Sequence, residues 1–221
     1  MDRIRDESLI HAYSALRAAL VSDCLDRLGI RFNAMQSHVR PVYCGARLAG
    51  YAMTVHAVSS TEPPPADRSL WYKRELEAVD RLEPADVMVV STCDGPFWGE
   101  LLATAARYRG AVGLVADAGV RDTSQLTEMR FPTFAARIEP TDALGRCEVN
   151  DVMVPIECGG VTVHPGDVVI ADNDGVVVVP AAAARDVLQL AEEKSGSEDI
   201  VRRELERGMS ARDAFLTYGV L

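Results

Sequence analysis

Apolar residues recur at helical spacing from residue 7 to about residue 28, at Leu9, Ile10, Tyr13, Leu16 and Leu20, which predicts an amphipathic helix. Ser22 and Asp23 offer capping side chains and Gly29 a stop, so a second short helix is expected over residues 24–28. The pattern then changes. Residues 47–59 (RLAGYAMTVHAVS) read as a strand with a glycine inside it. Residues 61–67 (TEPPPAD) hold three consecutive prolines, which lack backbone donors, so this segment is a loop and a candidate pocket rim. Helical character returns over residues 69–82. A short buried strand at 86–91, an alanine-rich helix at 100–109 and a second buried strand at 111–116 follow. That succession implies a right-handed crossover between parallel strands. Further on, strands are expected at 153–156, 161–163, 167–171 and 175–179, separated by glycine, proline and aspartate turns. Two helices, 181–194 and 198–208, complete the pattern. The whole reads as an α/β or α+β layered domain, without internal repeat or low-complexity segment.

Composition narrows the function. The 221 residues are 48% hydrophobic and 25% charged, enough apolar material for a substantial core, and the net charge of −10 argues against a general nucleic-acid binder. No apolar run approaches the ~20 residues that span a bilayer, and the charged N-terminal stretch does not resemble a signal peptide. No membrane association is therefore expected, and a cytoplasmic location is. The five cysteines (Cys24, Cys44, Cys93, Cys147, Cys158) are scattered and odd in number, which suggests reduced thiols rather than a disulfide framework or zinc site. The four histidines (His11, His38, His56, His164) show no metal-ligand spacing. Asp172-Asn173-Asp174-Gly175 resembles the start of a calcium loop but lacks the glutamate that would close it; a type I′ turn at Asp174-Gly175 fits better. No nucleotide-binding glycine motif is present, so a nucleotide cofactor is not expected.

The chemistry concentrates in two stretches. Gly99 precedes a helix, where the backbone approaches a ligand closely and first-turn N–H groups form an anion site. Glu100 brings a carboxylate to that same turn. Beyond the 111–116 strand come Asp117, Arg121 and Asp122, on a loop tightened by Gly119, where open parallel sheets gather their ligand sites. Arginine suits a bidentate grip on a carboxylate or enolate oxygen, and aspartate suits a hard divalent cation. Such a set fits a metal-chelated 2-oxo acid whose enolate is stabilised. An isolated Arg-Asp pair is more often a surface ion pair worth under ~1 kcal/mol. Cys93 and Asp94, ahead of Gly95, are further candidates for the pocket lining.

Six strings in order carry a family resemblance: SDCLDRLG (22–29), LAGYAMTV (48–55), WGELLATAARYR (98–109), GAVGLVADAGVRD (110–122), FPTFAARIEP (131–140) and GGVTVHPGDVVIADNDGVVVVP (159–180). Over most of its length the chain resembles the RraA-like family, which includes 4-hydroxy-4-methyl-2-oxoglutarate aldolases. The resemblance implies an α/β fold of layered, swivelling β/β/α type, a single domain over residues 1–221. The helices from about residue 181 would pack on a neighbouring subunit of a homotrimer or homohexamer. It implies a lyase that yields pyruvate from a small 4-hydroxy-2-oxo acid with Mg2+ or Mn2+ as cofactor, and decarboxylates oxaloacetate as a second activity. By position, Asp122 would be the metal ligand, Arg121 the catalytic arginine that also grips the substrate, and Glu100 an acid that holds a metal-bound water and moves protons. Backbone groups of Gly99, Leu101 and Leu102 would cradle the pyruvyl carboxylate, and Glu198 would be a catalytic acid delivered across a subunit interface. The chain departs from the pattern at Gln125, where a third acid is expected, and in the proline loop. Two other readings follow from the same resemblance: a non-catalytic regulator that binds ribonuclease E, or a related lyase for a different hydroxy or oxo acid.

Overall fold

Every residue of β3 (Asp86–Val90) is buried, yet its side chains divide between two cores. Val87 and Val89 point to one side, Met88 and Val90 to the other. That division follows from the two-residue period of a strand covered on both faces. The computed structural model describes residues 5–220. In it, β3 lies parallel to β2 (Leu48–Ser59) on one side and to β5 (Gly113–Val120) on the other. The sheet continues from β5 to parallel β6 (Thr133–Ile138) and the short β1 (Arg40–Pro41). From β2 it continues to antiparallel β10 (Val168–Asp172) and β11 (Gly175–Val179). Two more strands, β4 (Pro96–Trp98) and β7 (Cys147–Val152), extend β5 and the far half of β2. The two ends of the sheet approach each other, because Arg40 Nη1 donates to the Asp174 carbonyl at 2.8 Å. The sheet is therefore curled almost closed.

Layers of different kind cover it. A hairpin, β8 (Ile156–Cys158) and β9 (Val161–Val163), packs with Met35 and Val39 against Val87, Val89, Val169 and Val178. The opposite face is helical in two places. Helices α1 (Glu7–Ser14), α2 (Ala18–Arg27) and α6 (Ala184–Glu206) sit over β2, β10 and β11 through Tyr13, Leu25, Ile170 and Val187. Helices α3 (Lys73–Asp80), α4 (Glu100–Tyr108) and α5 (Thr123–Glu128) sit over β3 and β5 through Val79, Ala103, Ala106 and Leu126. A last helix, α7 (Ala211–Tyr218), packs on the end of α6 through Val201 and Ala214. This is a mixed α/β single domain of the expected β/β/α kind. Among the described residues, no helix is long and apolar enough to cross a membrane.

Several expectations need correction. The first helix breaks after Ser14, and α2 starts at Ala18 rather than near Ser22. The break is stabilised from outside: the Asp172 carboxylate accepts the Ala18 N–H at 2.9 Å. Residues 153–155 bend instead of forming a strand, Ile156 already belongs to β8, and the half-polar β7 precedes them. The C-terminal helix is one element of 23 residues through Ser195-Gly196-Ser197, where two were expected. At the β10–β11 turn, positive φ falls on Gly175 (+143°), not on Asn173 or Asp174, so it is not type I′. Residues 1–4 of the charged N-terminal stretch lie outside the described residues.

Candidate active site

The expected strand over 111–116 continues to Val120, because Asp117 can be buried at low cost. Its carboxylate accepts from Thr92 Oγ1 (2.5 Å) and the Gly159 N–H (3.0 Å), and pairs with His38 Nε2 at 2.8 Å. Burial pushes the Asp117 pKa up, but these hydrogen bonds outweigh it and hold the carboxyl below its ordinary range. Asp117 is thus a structural acid within the sheet, not a member of a ligand loop as its sequence position suggested. The chain leaves β5 at Arg121, whose N–H donates to the Trp98 carbonyl at 2.9 Å.

Asp122 then takes up left-handed backbone geometry (φ 56°, ψ 36°), uncommon for a non-glycine residue and a frequent mark of functional sites. Although it stands at the N-cap of α5, its side chain does not cap that helix. It turns to α4, where Oδ2 accepts the Glu100 N–H at 3.1 Å. Gly99 is required by this approach. A Cβ there would lie 2.6 Å from Asp122 Oδ2 and 3.3 Å from two atoms of Arg121, while its φ of −152° is open to any residue. The intrahelical ladder of α4 begins with Ala103 donating to the Gly99 carbonyl at 3.1 Å. The N–H groups of Leu101 and Leu102 stand ahead of that ladder and remain open to a ligand.

These groups border a cavity of about 240 Å³, lined mainly by apolar side chains including Leu76, Phe97, Trp98 and Leu102. Its far wall comes from α3 and the loop after β6. There Tyr72 donates to Asp142 Oδ2 at 2.5 Å, and Arg121 Nη1 donates to Asp142 Oδ1 at 3.4 Å. Arg121 Nε also stands 3.7 Å from Asp122 Oδ2, so one guanidinium lies between two aspartates. Burial, then the Asp142 hydrogen bond, pushes the Tyr72 hydroxyl up to about 12. Glu75, 8% exposed, lines the same cavity. Burial first, and the Asp142 charge second, raise its carboxyl to about 8, against a smaller opposing pull from Arg121.

Five of the residues singled out in the sequence therefore meet at this cavity: Gly99, Leu101, Leu102, Arg121 and Asp122. Glu100 belongs to the same turn, but its carboxylate accepts from Thr104 Oγ1 one turn on (2.9 Å) and does not line the cavity. Glu198 lies on α6, where Arg17 (3.0 Å) and Lys194 (3.6 Å) hold it, away from the cavity of its own chain. Gln125 is exposed on α5 and does not line the cavity either. Cys93 is buried elsewhere: its Sγ lies 2.9 Å from Cys147 Sγ, and this thiol–thiol contact holds Cys93 below its ordinary range. Asp94 takes up Ser59 Oγ at 3.4 Å, outside the cavity. The proline loop borders a neighbouring hollow through Pro64 and Pro65. Sequence reading missed Tyr72, Glu75 and Asp142. Glu75 alone carried a signal, as an acid on the apolar face of an amphipathic helix.

The donors here can be compared with what a metal requires. Among the described residues, no group of three or more histidine, cysteine, aspartate or glutamate side chains is arranged to hold an ion. Among the described residues, nothing hydrogen-bonds Asp122 Oδ1, and Asp122 borders the cavity. One free carboxylate oxygen fits a hydrated ion of the magnesium type, which keeps several waters and needs one or two protein carboxylates.

Comparison with known proteins places the chain among relatives of one family. A relative from Halalkalibacterium halodurans named "Putative 4-hydroxy-4-methyl-2-oxoglutarate aldolase" is 28% identical over 210 residues, covering 94% of this chain and 93% of its own. The crystal structure of an uncharacterised protein from Pseudomonas syringae pv. tomato superimposes with a TM-score of 0.85 at 26% identity, covering 99% of this chain and 98% of that one. Streptomyces coelicolor RraAS2, described as an unusual member of the RNase ES inhibitor RraA protein family, gives a TM-score of 0.77 at 26% identity over 91% of this chain and all of that one. The RraA-like family, Aldolase/RraA, matches residues 18–178, a span that holds the curled sheet and the Gly99 and Arg121-Asp122 segments, and the chain belongs to that family.

Proposed function

We propose that this chain is a divalent-metal-dependent lyase that cleaves a 4-hydroxy-2-oxo acid to pyruvate through an enolate. The observation that carries this reading is the convergence of Arg121, the Asp122 carboxylate and the open N–H groups of Leu101 and Leu102 on one apolar cavity. Asp122 would hold Mg2+ or Mn2+, which when bound supplies Lewis-acid polarisation of the 2-oxo group. The α4 amides receive the substrate carboxylate, a suitable guest for a helix N-terminus. Arg121 donates to the oxygen on which negative charge develops as the C3–C4 bond breaks, and Asp142 holds the guanidinium in place. Apolar walls exclude water and strengthen these interactions. Oxaloacetate decarboxylation passes through the same enolate and is expected as a second activity.

Assembly belongs to the same proposal. Leu101 is 76% exposed and Tyr108 91% exposed in the isolated chain, on the helix that borders the cavity. A homotrimer or homohexamer that covers α4 would bury them and bring Glu198 of a neighbouring copy toward the site. The test is pyruvate release from oxaloacetate and from 4-hydroxy-4-methyl-2-oxoglutarate, with Mg2+ or Mn2+ and then with excess chelator. Metal-dependent pyruvate is the expected result. A folded protein that releases none, and instead retains ribonuclease E in a pull-down, would be a regulator of the RraA kind.

A further inference from the structure

On α3 the usual order of burial is inverted at adjacent positions. Glu75 is 8% exposed, whereas Leu76 is 46% exposed. Stability alone would favour the opposite arrangement, since carboxylates are seldom buried without a partner. Glu75 has no such partner. Its carboxyl makes no hydrogen bond to another described residue, and the nearby Asp142 is already engaged by Tyr72 and Arg121. The unpartnered carboxyl lines the cavity whose opposite side carries Arg121 and the α4 amides. A carboxyl on a buried residue with no protein partner calls for an explanation, such as a catalytic role or a bound water or ion.

We propose that Glu75 is a catalytic acid of this site, donating a proton to the substrate carbon that becomes the pyruvate methyl group. The proposal rests on the lyase reading. In cleavage, a base removes the 4-hydroxyl proton, the C3–C4 bond breaks, and C4 departs as a carbonyl product. The bonding pair moves through C2 onto the 2-oxo oxygen, giving the enolate. The enolate then takes the Glu75 proton at C3 and becomes pyruvate. Glu75, now a carboxylate, is reprotonated through water by the proton released from the 4-hydroxyl, so no proton is gained or lost overall. In decarboxylation of oxaloacetate, CO2 departs instead, and solvent restores the proton.

The surroundings suit an acid with this task. Asp142 opposes ionisation of Glu75, Arg121 favours it, and the Tyr72 and Cys147 side chains face it in neutral form. A carboxyl raised to about 8 keeps its proton at neutral pH and can still release it to a carbanion-like carbon.

The experiment compares wild type, E75Q and E75D in three measurements. These are pyruvate release from oxaloacetate with Mg2+ or Mn2+, exchange of the pyruvate methyl protons for deuterium in D2O followed by NMR, and infrared difference spectra of the protein without added metal. E75Q matches the shape of the protonated acid and should fold, which thermal melting checks. It should lose methyl exchange and lower kcat about 100-fold or more with KM little changed. It should also lose both the decline in rate as pH rises through about 8 and the protonated-carboxyl band in the spectrum. E75D, with its carboxyl drawn back, should recover part of the exchange. If wild type exchanges and cleaves but E75Q does so equally well with the same pH profile, Glu75 is not the acid and the lyase reading stands. If wild type neither exchanges nor cleaves, both fall together.

Discussion

The two walls of the cavity are built in different ways. One wall comes from two short stretches, Gly99–Leu102 and Arg121-Asp122, which the parallel pairing of β4 with β5 brings side by side. The other comes from Tyr72 and Glu75 on one element and Asp142 on a loop 70 residues later, joined by the Tyr72–Asp142 hydrogen bond. On the first wall, backbone geometry places the chemistry: a left-handed Asp122, a close approach at Gly99, and a helix start. On the second, side chains place one another. The first wall therefore tolerates little change of shape, and the second little change of charge.

The largest test of this contrast is removal of the first wall's polar groups. Arg121→Ala and Asp122→Ala should each lower turnover by on the order of 10³-fold, with modest loss of stability because both side chains are partly exposed. Retained pyruvate release by either variant would break the comparison at its centre. Gly99→Ala should come next. The added Cβ has to displace the Asp122 carboxylate, and a shift near 1 Å costs about 10²-fold in rate. Steady-state kinetics together with a melting curve separates this shift from unfolding.

Effects on the second wall should be smaller and charge-dependent. Tyr72→Phe leaves Asp142 with Arg121 alone and removes a hydrogen bond worth about 1 kcal/mol. A fall in activity of roughly tenfold at constant fold is expected, read as kcat/KM. Glu75 provides a test in stability. Its pKa is raised on folding from 4.5 to about 8, so between those values the folded state binds more protons than the unfolded one. Stability is then highest below about 4.5 as far as this group is concerned, and is lost as pH rises through 8. E75Q should remove this dependence, so that its melting temperature exceeds wild type at pH 9 by a few degrees and matches it near pH 5. Parallel melting curves for the two proteins would contradict the burial argument. The smallest effect belongs to Gln125→Glu. Although this position departs from the family pattern, its side chain is exposed outside the cavity, and activity should change by less than about twofold.

The same contrast explains what could be read from sequence. β3 and the first half of β5 were legible as uninterrupted apolar runs, and α4 as a leucine- and alanine-rich segment. The first wall was legible because its residues are neighbours in the chain. The reading of β5 stopped at Ala116, since Asp117 looks like the start of a loop. Only partners distant in sequence, His38, Thr92 and Gly159, make that acid compatible with a buried strand. Helix α6 passes through Gly196 because a helical glycine costs only about 1 kcal/mol relative to alanine, less than the packing on either side supplies. β7 was missed because CEVNDV is half exposed and pairs on one side only, where its polar residues face water. Glu75 and Asp142 could not be paired in advance, since nothing local specifies a meeting between α3 and a loop so far along the chain.

Helix α6 has a consequence for motion. Its buried residues fall into two groups, Ala184 to Lys194 on the α1–α2 layer and Val201 against Ala214 of the last helix and Val220 just beyond it. The second group is small and touches no part of the sheet core. Amide hydrogens beyond about Ser197 should therefore exchange through a local opening that leaves the rest of the molecule intact, while those nearer Ala184 exchange only with global unfolding. Glu198 stands at the boundary between these two regimes, so one covalent helix carries a base tied to the main core and an end tied only to a small core of its own.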